Sequence, residues 1–160
     1  MADIRFEPAT LDHAEALALQ MRQPDIDEVM ASHGLTAEMA LRGSVENSAH
    51  AVAMFLGGEL AALFGIVRRP ASRESALGVD LDCVWLLTGH VVDRYPVAFF
   101  RASQRALKAF LVISPRLFNW VDTRYPNAIQ FLTALGFKAG PPIAVGINGE
   151  SFRFILIERK

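Results

Sequence analysis

Hydrophobic residues recur at helical spacing in five segments of the chain. The last segment begins at Pro126 and reaches a left-handed cap at Gly136, where the helix ends. One face of this helix is apolar and is made by Ala128, Ile129, Leu132 and Leu135. The other four helical segments are residues 8–21, 25–31, 36–46 and 96–113.

Seven short apolar runs predict strands between and beside these helices. They are residues 4–7, 51–56, 60–67, 83–87, 117–121, 143–147 and 152–157. The run at 83–87 is apolar on both sides, which is typical of a central strand. Two hairpin turns are predicted, one at Gly57-Gly58-Glu59 and one at N-G-E-S, residues 148–151, where Asn148-Gly149 is a strong turn signal. Without the short segment 25–31, the order is β-α-α-β-β-β-α-β-α-β-β, which predicts an α/β fold with a mixed central sheet and helices on both faces.

The composition indicates one folded domain, residues 1–160, with apolar surface to cover. Lysine and arginine number 16 and aspartate and glutamate 17, so no strong field attracts nucleic acid or an anionic membrane, and we expect neither as a partner. Hydrophobic residues make up 52% of the chain and charged residues 21%. This excess predicts a protein partner or a second copy of the chain against part of the surface.

Cysteine and histidine usage argues against disulfides and metal sites. Cys83 is the single cysteine and begins an apolar strand, so we interpret it as a buried hydrophobic residue. The four histidines, at positions 13, 33, 50 and 90, lack metal-ligand spacing. The sequence shows neither a secretory leader nor an apolar run of membrane-spanning length. We therefore expect a soluble, cytoplasmic chain.

A basic loop is predicted over residues 68–75, with Arg68, Arg69 and Arg73. Such a loop could contact a nucleotide 3′-phosphate or a nucleic-acid backbone. Glu74 dilutes its charge, and no aromatic residues interleave to stack bases. We interpret it as a solvated loop or a protein contact.

The element order and the final helix together resemble a known family. The segment A-I-x-F-L-x-x-L-G-F, residues 128–137, and the order of helices and strands are similar to the GCN5-related N-acetyltransferase (GNAT) family. A closer likeness, in residues 7–29, 83–90, 114–125 and 152–157, is to the internal virion protein A family of short-tailed phages and prophages. That likeness implies a role in virion structure or assembly, in the bacterial cytoplasm or in the particle.

The GNAT resemblance also implies an acetyl-CoA site. In that family the strand before the longest helix contacts the pantetheine arm, and an Arg/Gln-x-x-Gly-x-Gly/Ala turn wraps the pyrophosphate with backbone N–H groups. The turn aligns here with residues 94–99, where Arg94 matches. Val97 and Phe99 replace the two glycines, and Pro96 removes one N–H donor.

The residues that the resemblance assigns to acetyl-CoA are Leu86, Leu87, Thr88, Gly89, Arg94, Asn127 and Phe131. A shifted loop that uses Thr88, Gly89 and His90 stays open as an alternative to the turn at Arg94. Trp85 and Trp120 fall in neighbouring predicted strands. They either line the cleft between those strands or anchor the core.

The catalytic residues are less well defined. Many GNAT enzymes carry a tyrosine, which protonates the leaving thiolate, at the position of Leu132, and leucine cannot do this. Tyr125 is the nearby hydroxyl, and its alternative role is packing. The candidates for a general base are Asp82, Asp122 and His90. Their alternative roles are a strand-end carboxylate for each aspartate and a solvated loop residue for the histidine.

The sequence leaves two hypotheses for the function. The first is a phage or prophage GNAT-fold protein with a degenerate acyl-CoA site, acting in virion structure or assembly. The second is a divergent acetyl-CoA-dependent N-acyltransferase. An open cleft between the strands of Trp85 and Trp120, lined by backbone donors, would favour the second.

Overall fold

The computed structural model describes residues 2–68 and 81–160, and within them seven strands form one sheet. The strands are β1 (Ile4–Pro8), β2 (His50–Leu56), β3 (Glu59–Val67), β4 (Asp82–Thr88), β5 (Arg116–Asp122), β6 (Lys138–Ala144) and β7 (Ser151–Glu158). The described helices are α1 (Leu11–Ala18), α2 (Gln23–His33), α3 (Ala37–Asn47), α4 (Val91–Arg94), α5 (Pro96–Ile113) and α6 (Pro126–Leu135). The predicted α/β fold with a mixed central sheet is confirmed.

The sheet runs in the order β1-β2-β3-β4-β5-β7-β6. All neighbouring strands are antiparallel except β4 and β5, which are parallel. A parallel pair needs a crossover connection, and α4 and α5 supply it. The pairing of β4 with β5 covers only Asp82 with Leu117 and Cys83 with Phe118.

Each face of the sheet carries its own apolar core, as alternation along a strand requires. In β4, Val84 and Leu86 pack with the core under α5 and α6. Trp85 and Leu87 pack with the opposite core, against α1 and α3. Strand β4 is therefore covered on both sides, which explains its apolar sequence.

Helix α2 is longer than the predicted segment 25–31. It begins at Gln23 with a proline in its first turn, a position where the missing N–H costs nothing. It ends at Gly34, whose φ of 68° is left-handed. Its polar sequence hides the helical pattern, because charged residues occupy much of the face that packs on the sheet.

The C-terminal hairpin differs from its prediction. Strand β6 occupies residues Lys138–Ala144, not 143–147, and its pairing with β7 is irregular between Ala139 and Pro142. Prolines masked this strand in the sequence, but β6 is at the sheet edge, where proline is tolerated. The predicted hairpin forms, with a connection from Ala144 to Ser151 that is longer than N-G-E-S. Its turn is closed by the Gly149 N–H, which donates to Gly146 O at 3.0 Å, and Gly149 has a positive φ of 79°.

The one-turn helix α4, Val91–Arg94, was not among the helices predicted from the sequence. The predicted basic loop falls at a limit of the described chain. Of the predicted basic loop, Arg69 and Arg73 lie outside the described residues. No helix among residues 2–68 and 81–160 is both long and apolar enough to cross a membrane.

Gly65 on β3 permits the close approach of two neighbours. A Cβ there would lie 2.5 Å from the His50 carbonyl oxygen and 2.8 Å from Trp85 Nε1. We expect Gly65→Ala to lower the free energy of unfolding by about 1–3 kcal/mol, because the strand backbone cannot retreat. Urea denaturation measures this.

The matched control is Gly43→Ala, in the middle of α3, where an added Cβ meets nothing within 4 Å. This substitution should stabilise the protein slightly, since alanine is the better helix former. Equal effects of the two substitutions would contradict the packing argument.

Candidate functional site

Strands β4 and β5 separate after their second residue pair and leave a wedge in the sheet. The Asn119 side chain spans the narrow end, donating to the Val84 carbonyl oxygen at 2.6 Å. Beyond this point a cavity of about 390 Å³ extends between the strands and beneath α5 and α6. The cavity thus has a closed end, where the strands still pair, and an open end near Thr88 and Val121.

Helix α2 crosses the open end of the wedge and binds both strands through carboxylates. Asp25 accepts the Thr88 backbone N–H at 2.7 Å and also the Thr88 hydroxyl. Glu28, one helical turn later, takes a backbone hydrogen bond from Asp122. Residues three apart share a helix face, so this pair links the end of β4 to the end of β5.

Burial of the acidic pair changes its protonation. The pKa of Glu28 rises from its usual 4.5 to about 8 because the carboxyl is desolvated and faces the negative charges of Asp25 and Asp122. Desolvation also raises the pKa of Asp25, although the Thr88 hydrogen bonds and Arg22 oppose the rise. Glu28 therefore holds a proton at neutral pH and exchanges it near pH 8.

Two arginines and a tyrosine surround the acidic pair. Arg124 donates to both carboxylate oxygens of Asp122, its Nε lying 2.9 Å from Oδ2, and Asp122 is fully buried. Arg22 donates to Asp93 at 2.8 Å. The Tyr125 hydroxyl donates to Asp27, which lowers the pKa of Asp27 and raises that of Tyr125.

The cavity wall under the helices is apolar. Phe99 of α5 and Phe131 of α6 stack with ring centroids 5.0 Å apart and an interplanar angle of 3°. Ser103, 7% exposed, also lines the cavity, and its hydroxyl has no hydrogen-bond partner among the described residues. This space suits a pantetheine arm and an acyl group, and the Ser103 hydroxyl offers one polar contact to them.

The turn before α5 suits a pyrophosphate poorly. Gly89 N–H donates to Ala61 O at 2.8 Å, and His90 N–H donates to Gln20 O at 3.1 Å. The N–H groups of Val92 and Tyr95 close the turn α4. Since an anion site needs open N–H groups, residues 89–95 offer few of them, and Val97 and Ala98 in the first turn of α5 supply the N–H groups that have no backbone partner among the described residues. Arg94 is exposed and pairs with Glu59, away from the cavity lining.

The structure brings four of the predicted cofactor residues to the cavity: Leu86, Thr88, Asn127 and Phe131. The cavity lining does not include Leu87, Gly89 or Arg94. Leu87 packs in the opposite core. Gly89 packs against α1, where a Cβ would lie 2.9 Å from a Leu17 methyl carbon. The Thr88 N–H, predicted for pantetheine, is taken by Asp25.

The predicted catalytic residues lie apart from one another. Asp82 is at the closed end and accepts the Ser114 hydroxyl at 2.7 Å. His90 is exposed at the start of α4. Asp122 reaches the open end of the wedge but is held by Arg124, and Tyr125 is held by Asp27. Leu132, where the family has its tyrosine, lines the cavity.

The two tryptophans have different roles. Trp85 is 8% exposed and donates from Nε1 to Ser48 Oγ at 2.7 Å, so it mainly anchors the core on the α1 and α3 side. Trp120 lines the cavity and packs against Phe154 at a centroid distance of 5.2 Å. Trp85 also contributes to the cavity lining, so the cleft interpretation applies to both tryptophans and the core interpretation applies to Trp85.

Sequence reasoning missed Asp25 and Glu28. The available signal was the segment P-D-I-D-E-V, residues 24–29, in which two carboxylates lie one helical turn apart beside Ile26 and Val29. Acidic residues near a helix start also interact favourably with the helix dipole. That ordinary explanation hid the pair, because only the packing of α2 shows that the carboxylates face inward.

No protein-family model and no curated protein matches the sequence. Solved structures do match along nearly the whole chain. An acetyltransferase of the GNAT family from Streptococcus pneumoniae superposes with a TM-score of 0.64 at 17% identity, covering 99% of this chain and 100% of that one. An N-acetyltransferase from Staphylococcus aureus Mu50 gives a TM-score of 0.67 at 12% identity, covering 99% of each chain.

The chain has the GNAT fold. A third match, yncA from Salmonella typhimurium, was solved with its cofactor acetyl-CoA and gives a TM-score of 0.66 at 9% identity, covering 99% of this chain and 95% of that one. Identities this low establish the GNAT architecture alone. The likeness to the phage internal virion protein family has no support in these matches and stays a prediction.

Glu28→Gln tests the buried acidic pair through stability. Between pH 4.5 and about 8 the folded protein keeps the Glu28 proton that the unfolded chain loses, so this group destabilises the fold progressively as pH rises through that window. Glutamine carries no such proton. We expect the melting temperature of the variant, relative to the native protein, to rise from pH 5 to pH 9.

The control is Glu38→Gln on the exposed face of α3, which should show no such trend. Melting temperatures at pH 5, 7 and 9 decide the matter. A constant difference between Glu28→Gln and the native protein would show that Glu28 ionises normally.

Proposed function

We propose that this protein is an acyl-CoA-dependent N-acyltransferase, with acetyl-CoA as the simplest donor. The observation that carries the proposal is the wedge between β4 and β5, which opens into a cavity and has an ionisable carboxyl, Glu28, at its mouth. An acyl transfer to an amine needs a slot for the thioester and a base beside it. Both are present at one place.

Glu28 would act as the general base. A base works best when its pKa lies near the working pH, and burial gives Glu28 a pKa of about 8. Its carboxylate form accepts the proton of an ammonium ion at the mouth and releases a nucleophilic amine. Asp25 holds Thr88, which fixes the end of β4 and positions the helix turn that carries Glu28.

Bound acyl-CoA would supply a thioester carbonyl. The amine nitrogen bonds to the carbonyl carbon, the C–S bond breaks, and the proton that the nitrogen loses passes through water to the thiolate. Water relays this proton because Leu132 has no proton to give. Tyr125 is a poor substitute, since its hydrogen bond to Asp27 raises its pKa. The low share of charged residues in the cavity wall under α5 and α6 keeps the slot apolar.

A second candidate is a non-catalytic GNAT-fold protein that uses the scaffold for assembly. The turn before α5 favours it, because most of the N–H groups described there bond within the protein and Arg94 bonds to Glu59. On this hypothesis a protein partner or a second copy covers part of the surface. The proposed role in virion structure or assembly belongs to this candidate.

The test is CoA release from acetyl-CoA with a panel of primary amines, for the native protein and Glu28→Gln. We expect Glu28→Gln to lower kcat/KM about 10²–10⁴-fold, the usual contribution of a positioned base. The rate of the native protein should rise with pH up to about 8, and the variant should lose that rise.

Glu38→Gln is the control, because it removes an exposed carboxylate of the same type. An active Glu28→Gln variant with the native pH profile would contradict the role of Glu28. No turnover and no acetyl-CoA binding by the native protein, measured by calorimetry, would favour the non-catalytic candidate.

A further inference from the structure

We infer that the cavity takes a thioester whose acyl chain is much longer than acetyl, and that the tail lies along α5 toward the closed end of the wedge. This inference rests on the proposed function and names its donor class, an acylated pantetheine of medium chain length.

The closed end of the cavity is built from core side chains. Ile155, which pairs with Asn119, and Phe110, near the C-terminal end of α5, line it and are 1% and 5% exposed. Apolar side chains that line a cavity gain free energy when an apolar guest removes them from water. This part of the cavity therefore favours an apolar guest over a polar one.

The cavity changes from polar to apolar along one direction. Its open end carries Asp25, Glu28 and Thr88, whereas its closed end is apolar apart from Asn119, whose amide already bonds to Val84 O and Trp120 N–H. Helix α5 fixes this direction, because its C-cap Ser114 bonds to Asp82 at the paired end of the strands. An amphipathic ligand with its polar part at the mouth and its tail inward matches this gradient.

Ser103 marks the boundary between the two parts. The inner face of α5 presents Phe99, Ser103, Ala106, Leu107 and Phe110 to the cavity in that order. The hydroxyl of Ser103 is buried without a partner, a condition that costs free energy unless a ligand atom satisfies it. A thioester or pantetheine oxygen placed here leaves only carbon atoms to occupy the space beyond.

The space beyond Ser103 fits a medium-length chain. From Ser103 to Phe110 the helix wall is roughly 10 Å long at 1.5 Å per residue, which an extended eight-carbon chain spans. An acetyl group would leave this space unfilled. The closed end is also the end most distant from the amine, so a tail lying there does not obstruct the attack.

The nucleotide of coenzyme A has a poorer site than the chain. The N–H groups of Gly89, His90, Val92 and Tyr95 are occupied within the protein. The shared chemistry that the cavity recognises is therefore the acylated pantetheine arm, which coenzyme A and acyl carrier proteins both present. The ligands of the test separate these two sources.

Calorimetry of the native protein with acetyl-CoA, octanoyl-CoA and octanoyl-pantetheine tests the inference. We expect octanoyl-CoA to bind at least tenfold more tightly than acetyl-CoA, because the added methylenes enter apolar surroundings. If octanoyl-pantetheine binds with an affinity within threefold of that of octanoyl-CoA, the inference is supported, and the protein recognises the acylated pantetheine arm whichever molecule carries it. If octanoyl-pantetheine binds much more weakly than octanoyl-CoA, and octanoyl-CoA still binds tenfold more tightly than acetyl-CoA, the inference is supported with coenzyme A as the carrier of the chain.

Equal affinity for acetyl-CoA and octanoyl-CoA would overturn the chain inference and leave the acyltransferase proposal intact. Binding of none of the three ligands would overturn both. The two failures are therefore distinguishable in one set of titrations.

Two variants locate the chain. Ala106→Phe fills the inner wall and should reduce the octanoyl-to-acetyl preference at least tenfold, whereas Ala109→Phe on the exposed side of α5 should leave the preference unchanged. Ser103→Ala is the smaller change. It should weaken octanoyl-CoA binding at least threefold, and it should raise the melting temperature of the free protein because the buried hydroxyl without a partner is removed.

The placement of the chain along α5 would be overturned if Ala106→Phe kept the native preference for octanoyl-CoA over acetyl-CoA and Ser103→Ala bound octanoyl-CoA as the native protein does.

Discussion

The separation of β4 from β5 is the constraint on which the rest of the structure depends. Parallel strands that share only two residue pairs leave backbone groups inside a sheet without strand partners, and buried backbone groups must be satisfied. Helix α2 answers this need at Thr88 and Asp122 with the carboxylates of Asp25 and Glu28. A structural requirement thus places two acids at the mouth of the wedge.

That arrangement has an electrostatic consequence. Two carboxyls brought together in a desolvated place cannot both ionise easily, and the pKa of Glu28 moves to about 8. The same contacts that close the sheet therefore produce a group that exchanges protons near neutral pH. Such groups are common at functional sites. For this reason Glu28, at the mouth of the wedge, is a better candidate for a catalytic residue than those proposed from the sequence alone.

The other half of the site reflects the character of α5. Its inner face is apolar except for Ser103, and it covers a space that the sheet leaves open. Part of the high hydrophobic content of the chain lines this space. The composition had suggested a protein partner or a second copy for that excess, and this suggestion stays a prediction. The turn before α5 has meanwhile become a helical turn whose amides bond internally, so phosphate binding is the weakest element of the acyltransferase proposal.

The sequence by itself determined the elements, because their signals are local. The apolar stripe and proline of α5, the Gly136 cap of α6 and the doubly apolar β4 each specify a segment through its nearest neighbours. It also showed that the usual glycines and tyrosine of a GNAT site are replaced by Val97, Phe99 and Leu132. Strand β6 was misplaced because prolines conceal an edge strand.

Only the tertiary structure decided which polar residues meet. Asp25 lies 63 residues from Thr88, and Glu28 reaches Asp122 only when α2 packs across the open end of the wedge. No local pattern distinguishes such inward-facing acids from ordinary ones near a helix start. The pKa of Glu28 and the solitary hydroxyl of Ser103 arise from burial, and burial is a property of the assembled fold.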